Sequence, residues 1–235
     1  MNTLVVVPTY NERDNLPLLV PAVLVHEGFR MLIVDDGSPD GTGQVADELA
    51  RQYPGRLEVM HRTGPRGLGR SYVDGLKHAL KTDATLICQM DADLSHDPQY
   101  LPALAAAAST EFDVVIGSRY LHGVSVVNWP LHRIFLSTFA NRYIKTVTGL
   151  SPSDCTSGFR CWRREALEKL PLDGVVSDGY AFLIEMLHEA ARSGARIGEV
   201  PIIFVERRQG QSKVSTPVLI ESLITPWRLA LRRKK

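Results

Sequence analysis

The chain has 235 residues, 44% hydrophobic and 23% charged, with 27 Lys and Arg against 26 Asp and Glu. That length suits one large domain, or one domain with an appendage, and the composition excludes disordered, collagen-like and coiled-coil chains. A net charge of +1 supplies no global field to draw in nucleic acid, and three cysteines without metal-ligand spacing, in a chain of this size, suit a reducing compartment.

Met1-Asn2-Thr3 runs straight into Leu4-Val5-Val6-Val7, without the basic start or cleavage site of a signal peptide, so a strand is predicted at once. Further apolar runs at 31–34, 57–60, 85–90 and 114–116 predict strands, and 15–26, 43–51, 67–80 and 98–108 between them carry helix formers. This alternation is the rhythm of βαβ units, so the predicted fold class is α/β with a mostly parallel central sheet flanked by helices. After residue 120 the rhythm changes to a long helix over 129–148. It carries Leu131, Phe135, Phe139, Tyr143 and Val147 on one stripe and Arg133, Ser137 and Asn141 on another. The first stripe is expected to seek the core and the second to face a site. A loop at 151–156, a strand at 158–162, a helix near 177–192 and a strand at 199–205 follow. No apolar run reaches the roughly 18 residues of a membrane span.

Polar motifs gather at carboxyl ends of strands, where open α/β sheets bind ligands. The fourth strand ends in Asp91-Ala92-Asp93-Leu94-Ser95-His96, and paired carboxylates at a strand tip suit a hard divalent cation, Mg²⁺ or Mn²⁺, shared with a diphosphate. The first strand ends in Pro8-Thr9-Tyr10-Asn11-Glu12 and the second in Asp35-Asp36-Gly37-Ser38-Pro39-Asp40-Gly41-Thr42. In isolation the Asp36 segment reads first as a plain turn feeding a helix cap at Thr42, and second as a carboxylate for base or ribose. Arg133 and Ser137, four residues apart, share one helical face, and Arg forks match phosphate oxygens.

Together these segments resemble family-2 glycosyltransferases, most closely the polyprenyl-phosphate (dolichyl-phosphate) mannosyltransferases. The resemblance rests on the first-, second- and fourth-strand motifs, Gly67-Leu68-Gly69, Gly117-Ser118-Arg119, Asp154-Cys155-Thr156-Ser157-Gly158-Phe159-Arg160, and residues 207–213, in the family's order. It implies a GT-A nucleotide-diphosphosugar transferase fold over residues 1–215 as a single catalytic domain. It further implies that Pro8, Tyr10, Glu12 and Asp36 hold the guanosine of GDP-mannose and that Asp91 and Asp93 contact the metal. Ser95 takes the third position near the metal, where direct and water-mediated contact both stand. Arg119, Arg133 and Ser137 are expected on the acceptor phosphate, Arg207, Ser212 and Lys213 over the phosphates, and Asp154, Ser157 and Glu185 in the site wall.

The implied reaction transfers mannose to a polyprenyl phosphate with inversion. The alternatives are a UDP-glucose-dependent glucosyltransferase acting on the same acceptor, transfer to a sugar or protein hydroxyl, and a non-catalytic nucleotide-binding module. The tail 216–235 reads as an amphipathic helix, with Ile220, Ile224, Trp227 and Leu231 on one stripe before Arg232-Arg233-Lys234-Lys235. A membrane interface and a packed helix with a basic end account for it equally. The expected location is therefore the cytoplasm, peripherally on the cytoplasmic face of a membrane, alone or with a separate membrane-anchoring subunit. The stretch 124–129 is expected to form a mobile lip for the lipid.

Overall fold

The computed structural model describes residues 2–175, 177, 179–206 and 216–231. Strands β1 (Thr3–Thr9), β2 (Phe29–Asp35) and β3 (Leu57–His61) alternate with helices α1 (Leu16–Leu24) and α2 (Thr42–Gln52). Then come α3 (Leu68–Ala79), β4 (Leu86–Gln89), α4 (Leu101–Thr110), β5 (Val114–Ser118), β6 (Val126–Val127) and α5 (Leu131–Thr148). The remainder is β7 (Arg160–Arg163), α6 (Arg164–Leu167), α7 (Gly179–Arg192), β8 (Ile197–Pro201), β9 (Phe204–Val205) and α8 (Thr216–Ala230).

Seven strands form one sheet in the order β3-β2-β1-β4-β7-β5-β8, parallel except for β7, which runs antiparallel to both neighbours. The strand order turns at β1: the chain winds outward through β2 and β3, then crosses to β4 on the other side. A crevice therefore opens at the carboxyl ends of β1 and β4, where ligands bind in such sheets.

Alternation within the strands explains the two layers. Val5, Val7, Met31, Ile33 and Cys88 face α1, α2 and α4, while Leu4, Val6, Leu32, Val34 and Ile87 face α3 and α7. Burial of each such aliphatic side chain contributes about 1.5 to 3 kcal/mol. Helix α3 sits unusually close to the sheet because Gly75 has no Cβ; one built there would meet Val6 Cγ1 at 2.5 Å. That approach delivers the first turns of α3 to the crevice.

Two expectations are corrected. Helix α5 turns only the end of its apolar stripe inward: Leu131, Phe135 and Phe139 are 76%, 76% and 66% exposed, while Tyr143 and Val147 are partly buried. Its buried residues are Asn141 and Ile144, because the inner face must satisfy polar groups of the 154–156 loop. Asn141 Oδ1 accepts from Cys155 N at 2.8 Å and Asn141 Nδ2 donates to Thr156 Oγ1 at 3.2 Å. The strand expected over 199–205 is two strands, since the chain leaves β8 at Pro201 and Phe204–Val205 pair with β6 in a second, parallel sheet. Within the stretch 124–129, Val126 and Val127 make that pairing, while Val124 and Val127 stay exposed.

Helix α8 packs one face on the domain through Thr225 and Leu229, both buried, and Tyr143 Oη donates to Leu223 O at 2.7 Å. Leu223, Ile224, Trp227 and Leu231 remain exposed. Among the described residues no helix is long and apolar enough to cross a membrane.

Candidate active site

At the end of β1 and β2, a lattice of side chain to backbone bonds shapes the nucleoside end of the crevice. Pro8 is buried within β1, and Tyr10 and Glu12 follow where Asn11 takes a left-handed φ of 59°. Glu12 N donates to Thr42 Oγ1 at 2.9 Å, and its carboxylate accepts from Asn15 Nδ2 at 2.7 Å. Asp35 anchors the turn by accepting Ser38 Oγ at 2.6 Å. Gly37 and Gly41 make the turn with φ of 70° and 92°, a region open to glycine without Cβ strain. The cap of α2 is Gly41 rather than Thr42, whose hydroxyl instead donates to Asp40 and accepts from Glu12 N.

Asp36 is buried and engaged: Gly67 N donates to its Oδ2 at 2.8 Å, and Arg62 forms an ion pair with Oδ1. Arg62 also reaches Asp74 at 2.7 Å, so it ties the β2 turn to α3. Tyr10 carries the Arg66 guanidinium over its ring at 4.9 Å. Arg62 and Arg66 were not singled out from sequence; an Arg directly after β3, facing an Asp after β2 in a parallel pair, was the available signal.

The paired carboxylates lie where β4 ends. Asp93 Oδ1 accepts Ser95 Oγ at 2.5 Å and Ser95 N at 3.1 Å, a tight turn that pulls Leu94 to a φ of 61°. Such a conformation in a bulky residue costs about 1 to 3 kcal/mol and is kept where a site requires it. Asp91 is held twice. Tyr72, fully buried on α3, donates its hydroxyl to Asp91 Oδ1 at 3.0 Å, and His96 Nδ1 accepts from Asp91 N at 3.1 Å. Burial and the neighbouring carboxylate push the Tyr72 phenol well above its ordinary value, so it stays a proton donor. Tyr72 stacks on Phe182 and His96 on Phe159, which fixes both rings. Gly158 offers bare backbone beside Asp91; a Cβ there would lie 3.5 Å from Oδ1. Tyr72 and His96 carry no role in the sequence-based reading, because a Tyr amid apolar helix residues looks like ordinary core.

Ser95 donates its hydroxyl hydrogen to Asp93, which leaves its oxygen lone pairs available to an ion or to a bridging water. Among the described residues no group of three or more acidic, His or Cys side chains is arranged to hold a metal ion. Two carboxylates and no third acidic, His or Cys donor suit an ion that completes its shell with diphosphate oxygens and water, as Mg²⁺ does.

From His96 a run of aromatic rings leads to the cations. His96 meets Phe204 edge-on at 5.6 Å, Phe204 meets Trp129 at 5.4 Å, and Arg119 stands over Tyr120, Trp129 and Phe204 at 5.4 to 5.6 Å. Arg133 covers Trp129 at 4.0 Å. Arg119 is gripped by Asp154 through Nε at 2.6 Å and Nη2 at 2.7 Å. Burial alone would raise the Asp154 carboxyl, but the Arg119 charge and its hydrogen bonds outweigh that and hold it below its ordinary value. Glu199 braces this loop from behind by accepting Ser153 N at 2.8 Å and Asp154 N at 3.1 Å. Arg160, wholly buried, ties the loop with donations to Cys155 O, Ser157 O and Leu183 O, and burial lowers its pKa to about 10.

Ser137 accepts from Tyr120 Oη at 2.7 Å, and Arg133 pairs with Glu206. The predicted acceptor trio therefore shares one end of the molecule. Ser157 serves the frame, donating to Gly117 O at 2.7 Å. Glu185 is buried, accepts from Ser177 N at 3.1 Å and lies 3.8 Å from Arg228, which ties α7 to α8. Arg207, Ser212 and Lys213 lie outside the described residues.

Comparison with known proteins agrees with this geometry. Residues 4–171 match the family model described as glycosyl transferase family 2. The chain is 46% identical over 230 residues to a polyprenol monophosphomannose synthase of Mycolicibacterium smegmatis, covering 96% of this chain and 86% of that protein. It is 42% identical over 236 residues to an undecaprenyl-phosphate mannosyltransferase of Micrococcus luteus, covering 99% and 96%. Among solved structures, a glucosyl-3-phosphoglycerate synthase of Mycobacterium tuberculosis, crystallised with Mn²⁺, UDP and glucosyl-3-phosphoglycerate, superposes with a TM-score of 0.71 at 18% identity. That match covers 97% of this chain and 80% of the other, and it establishes the GT-A fold.

Proposed function

The chain belongs to glycosyl transferase family 2, and we propose that it moves mannose from GDP-mannose to a polyprenyl monophosphate, giving polyprenyl phosphate β-mannose with inversion. The similarity to two polyprenyl-phosphate mannosyltransferases supports the sugar and the acceptor. The observation that carries the reading is the aromatic-lined run from Asp91 through His96 and Phe204 to Arg119 and Arg133. It sets a carboxylate pair suited to a metal diphosphate at one end and paired guanidinium groups suited to a phosphate at the other.

The nucleoside belongs among Pro8, Tyr10, Glu12 and Asp36 at the tips of β1 and β2. A divalent ion, Mg²⁺ or Mn²⁺, held by Asp91 and Asp93 would neutralise charge on the departing GDP. Arg119, fixed by Asp154, and Arg133, packed on Trp129, hold the acceptor phosphate so that its oxygen approaches the anomeric carbon from the face opposite GDP. That phosphate is ionised at neutral pH, so no general base is needed, and none of the carboxylates has to take a proton. Arg207, Ser212 and Lys213 are assigned to the departing diphosphate by family resemblance.

Because the acceptor is a lipid, the outward apolar faces of α5 and α8 acquire a use. Leu131, Phe135 and Phe139 on one helix and Ile224, Trp227 and Leu231 on the other suit a membrane interface, with a Trp among aliphatic side chains at the headgroup level. We assign the chain to a membrane surface on this basis, and to its cytoplasmic face because its free cysteines suit a reducing compartment. Sedimentation of the chain alone with anionic liposomes supports direct docking, and sedimentation only with a membrane-anchoring subunit points to that partner.

The deciding experiment follows labelled sugar from GDP-mannose, and separately from UDP-glucose, into organic-extractable polyprenyl phosphate, with and without Mg²⁺ or Mn²⁺. Metal-dependent labelling from GDP-mannose, reduced at least about 10²-fold in Asp93→Ala, is expected. Labelling from UDP-glucose alone overturns the donor, and labelling of a hydroxyl acceptor instead overturns the reaction.

A further inference from the structure

The two arginines at the acceptor end face carboxylates of different kinds. Asp154, opposite Arg119, is completely buried and braced by Glu199, so that pair belongs to the frame. Glu206, opposite Arg133, is not: the side chains of Arg133 and Glu206 are 28% and 29% exposed. Backbone pairing delivers Glu206 to that place, since β9 pairs with β6 and Glu206 N donates to Val127 O at 3.1 Å. Trp129 lies 4.0 Å from the Arg133 guanidinium and narrows the directions from which an anion can approach it.

Resting on the lipid-phosphate reading above, we infer that Glu206 is a placeholder in the acceptor site, its carboxylate holding the place on Arg133 that the acceptor phosphate takes. Carboxylate and phosphate both match the guanidinium fork, so they compete for the same donors. An arriving anion therefore binds by exchange, and Glu206, already touching solvent, turns out to water. The Arg133–Glu206 contact that must open is the same whichever anion arrives, so Glu206 weakens acceptor and product by one common factor and takes Arg133 back when the product leaves.

Glu206→Gln keeps the shape and a hydrogen-bonding oxygen but removes the charge. An exposed-to-half-buried ion pair of this kind is worth a factor of roughly two to five in binding. Glu206→Gln is expected to lower the acceptor KM by about that factor and to strengthen product inhibition by the same factor; both effects should vanish in an Arg133→Ala background. An unchanged or raised acceptor KM, or an equal change without Arg133, overturns the inference. A second measurement separates it from the reaction assigned above. Tryptophan fluorescence, with Trp129→Phe as control, follows polyprenyl phosphate in detergent micelles added to donor-free protein, with the uncharged polyprenol alongside. Earlier saturation of Glu206→Gln by the phosphate, with no response to the alcohol, supports the role of Glu206 even if mannose transfer fails. Equal saturation of the two proteins overturns it whatever the transfer assay shows.

Discussion

The donor end and the acceptor end of this molecule are built by different means. The donor end hangs from the tips of β1, β2 and β4, seven-, seven- and four-residue strands in register with one another, and its polar groups are held by tight turns at those tips and by side chains that α3 and the segment before it bring against them. The acceptor end depends on a helix, α5, held by polar contacts, and on β6 and β9, which contribute two residue pairs in all. A sheet edge sunk between two apolar layers places carboxylates rigidly. A helix turned polar-side in and joined by a minimal ladder leaves its cations able to change partners and its apolar side open to lipid.

The most damaging way to break this contrast is at the one rigid element of the acceptor end. Asp154→Asn leaves Arg119 buried without its counter-charge, and a broken buried pair costs about 3 to 5 kcal/mol. Denaturant unfolding at pH 7 should record that loss. The sign of its pH dependence follows from the lowered Asp154 value: the carboxylate contributes above the ordinary value of 3.8 and loses its contribution as pH falls through the lower folded value. The gap between wild type and Asp154→Asn should be full at pH 5 and 7 and shrink below pH 3.8.

At the donor end, the support behind the carboxylates should act on metal affinity with little change of fold. Tyr72→Phe removes the hydroxyl from Asp91 Oδ1, and His96→Phe keeps the ring against Phe159 but removes the acceptor for Asp91 N. Each should weaken Mn²⁺ binding, measured by calorimetry with GDP present, by about 10- to 100-fold. His96→Asn, whose Oδ1 can replace Nδ1 as acceptor, should recover part of that loss; equal loss in Asn and Phe variants would make the ring's packing, not its nitrogen, the relevant feature.

The smallest expected effect on stability belongs to two of the largest side chains. Phe135→Ser with Phe139→Ser should change unfolding free energy by no more than about 0.5 kcal/mol per site, because both rings already stand in solvent. Liposome sedimentation should nevertheless fall. A stability loss of several kcal/mol would mean that these rings are covered in solution and that the outward face of α5 is not open.

How much of this was readable beforehand divides along the same line. The five N-terminal strands, their helices and the Asp91, Asp93 and Asp36 positions follow from local rules: apolar runs of strand length, glycine turns, and carboxylates at strand ends. Amphipathic periodicity also located α5 and grouped Arg133 with Ser137 and Asn141. It assigned the inner face wrongly, because a hydrophobic stripe announces that it avoids water without stating whether protein or lipid will cover it.

Pairings between residues distant along the chain were decided by tertiary structure alone. Tyr72 on Asp91, Arg62 on Asp36, Glu199 behind Asp154 and Glu206 on Arg133 join residues 19, 26, 45 and 73 positions apart. Spacing within one element cannot encode such contacts. They arise only when the β1 to β4 crossover, the reversed β7 and the β6 and β9 clasp bring strand ends to one edge of the sheet, where buried charges must find partners or remain unsolvated.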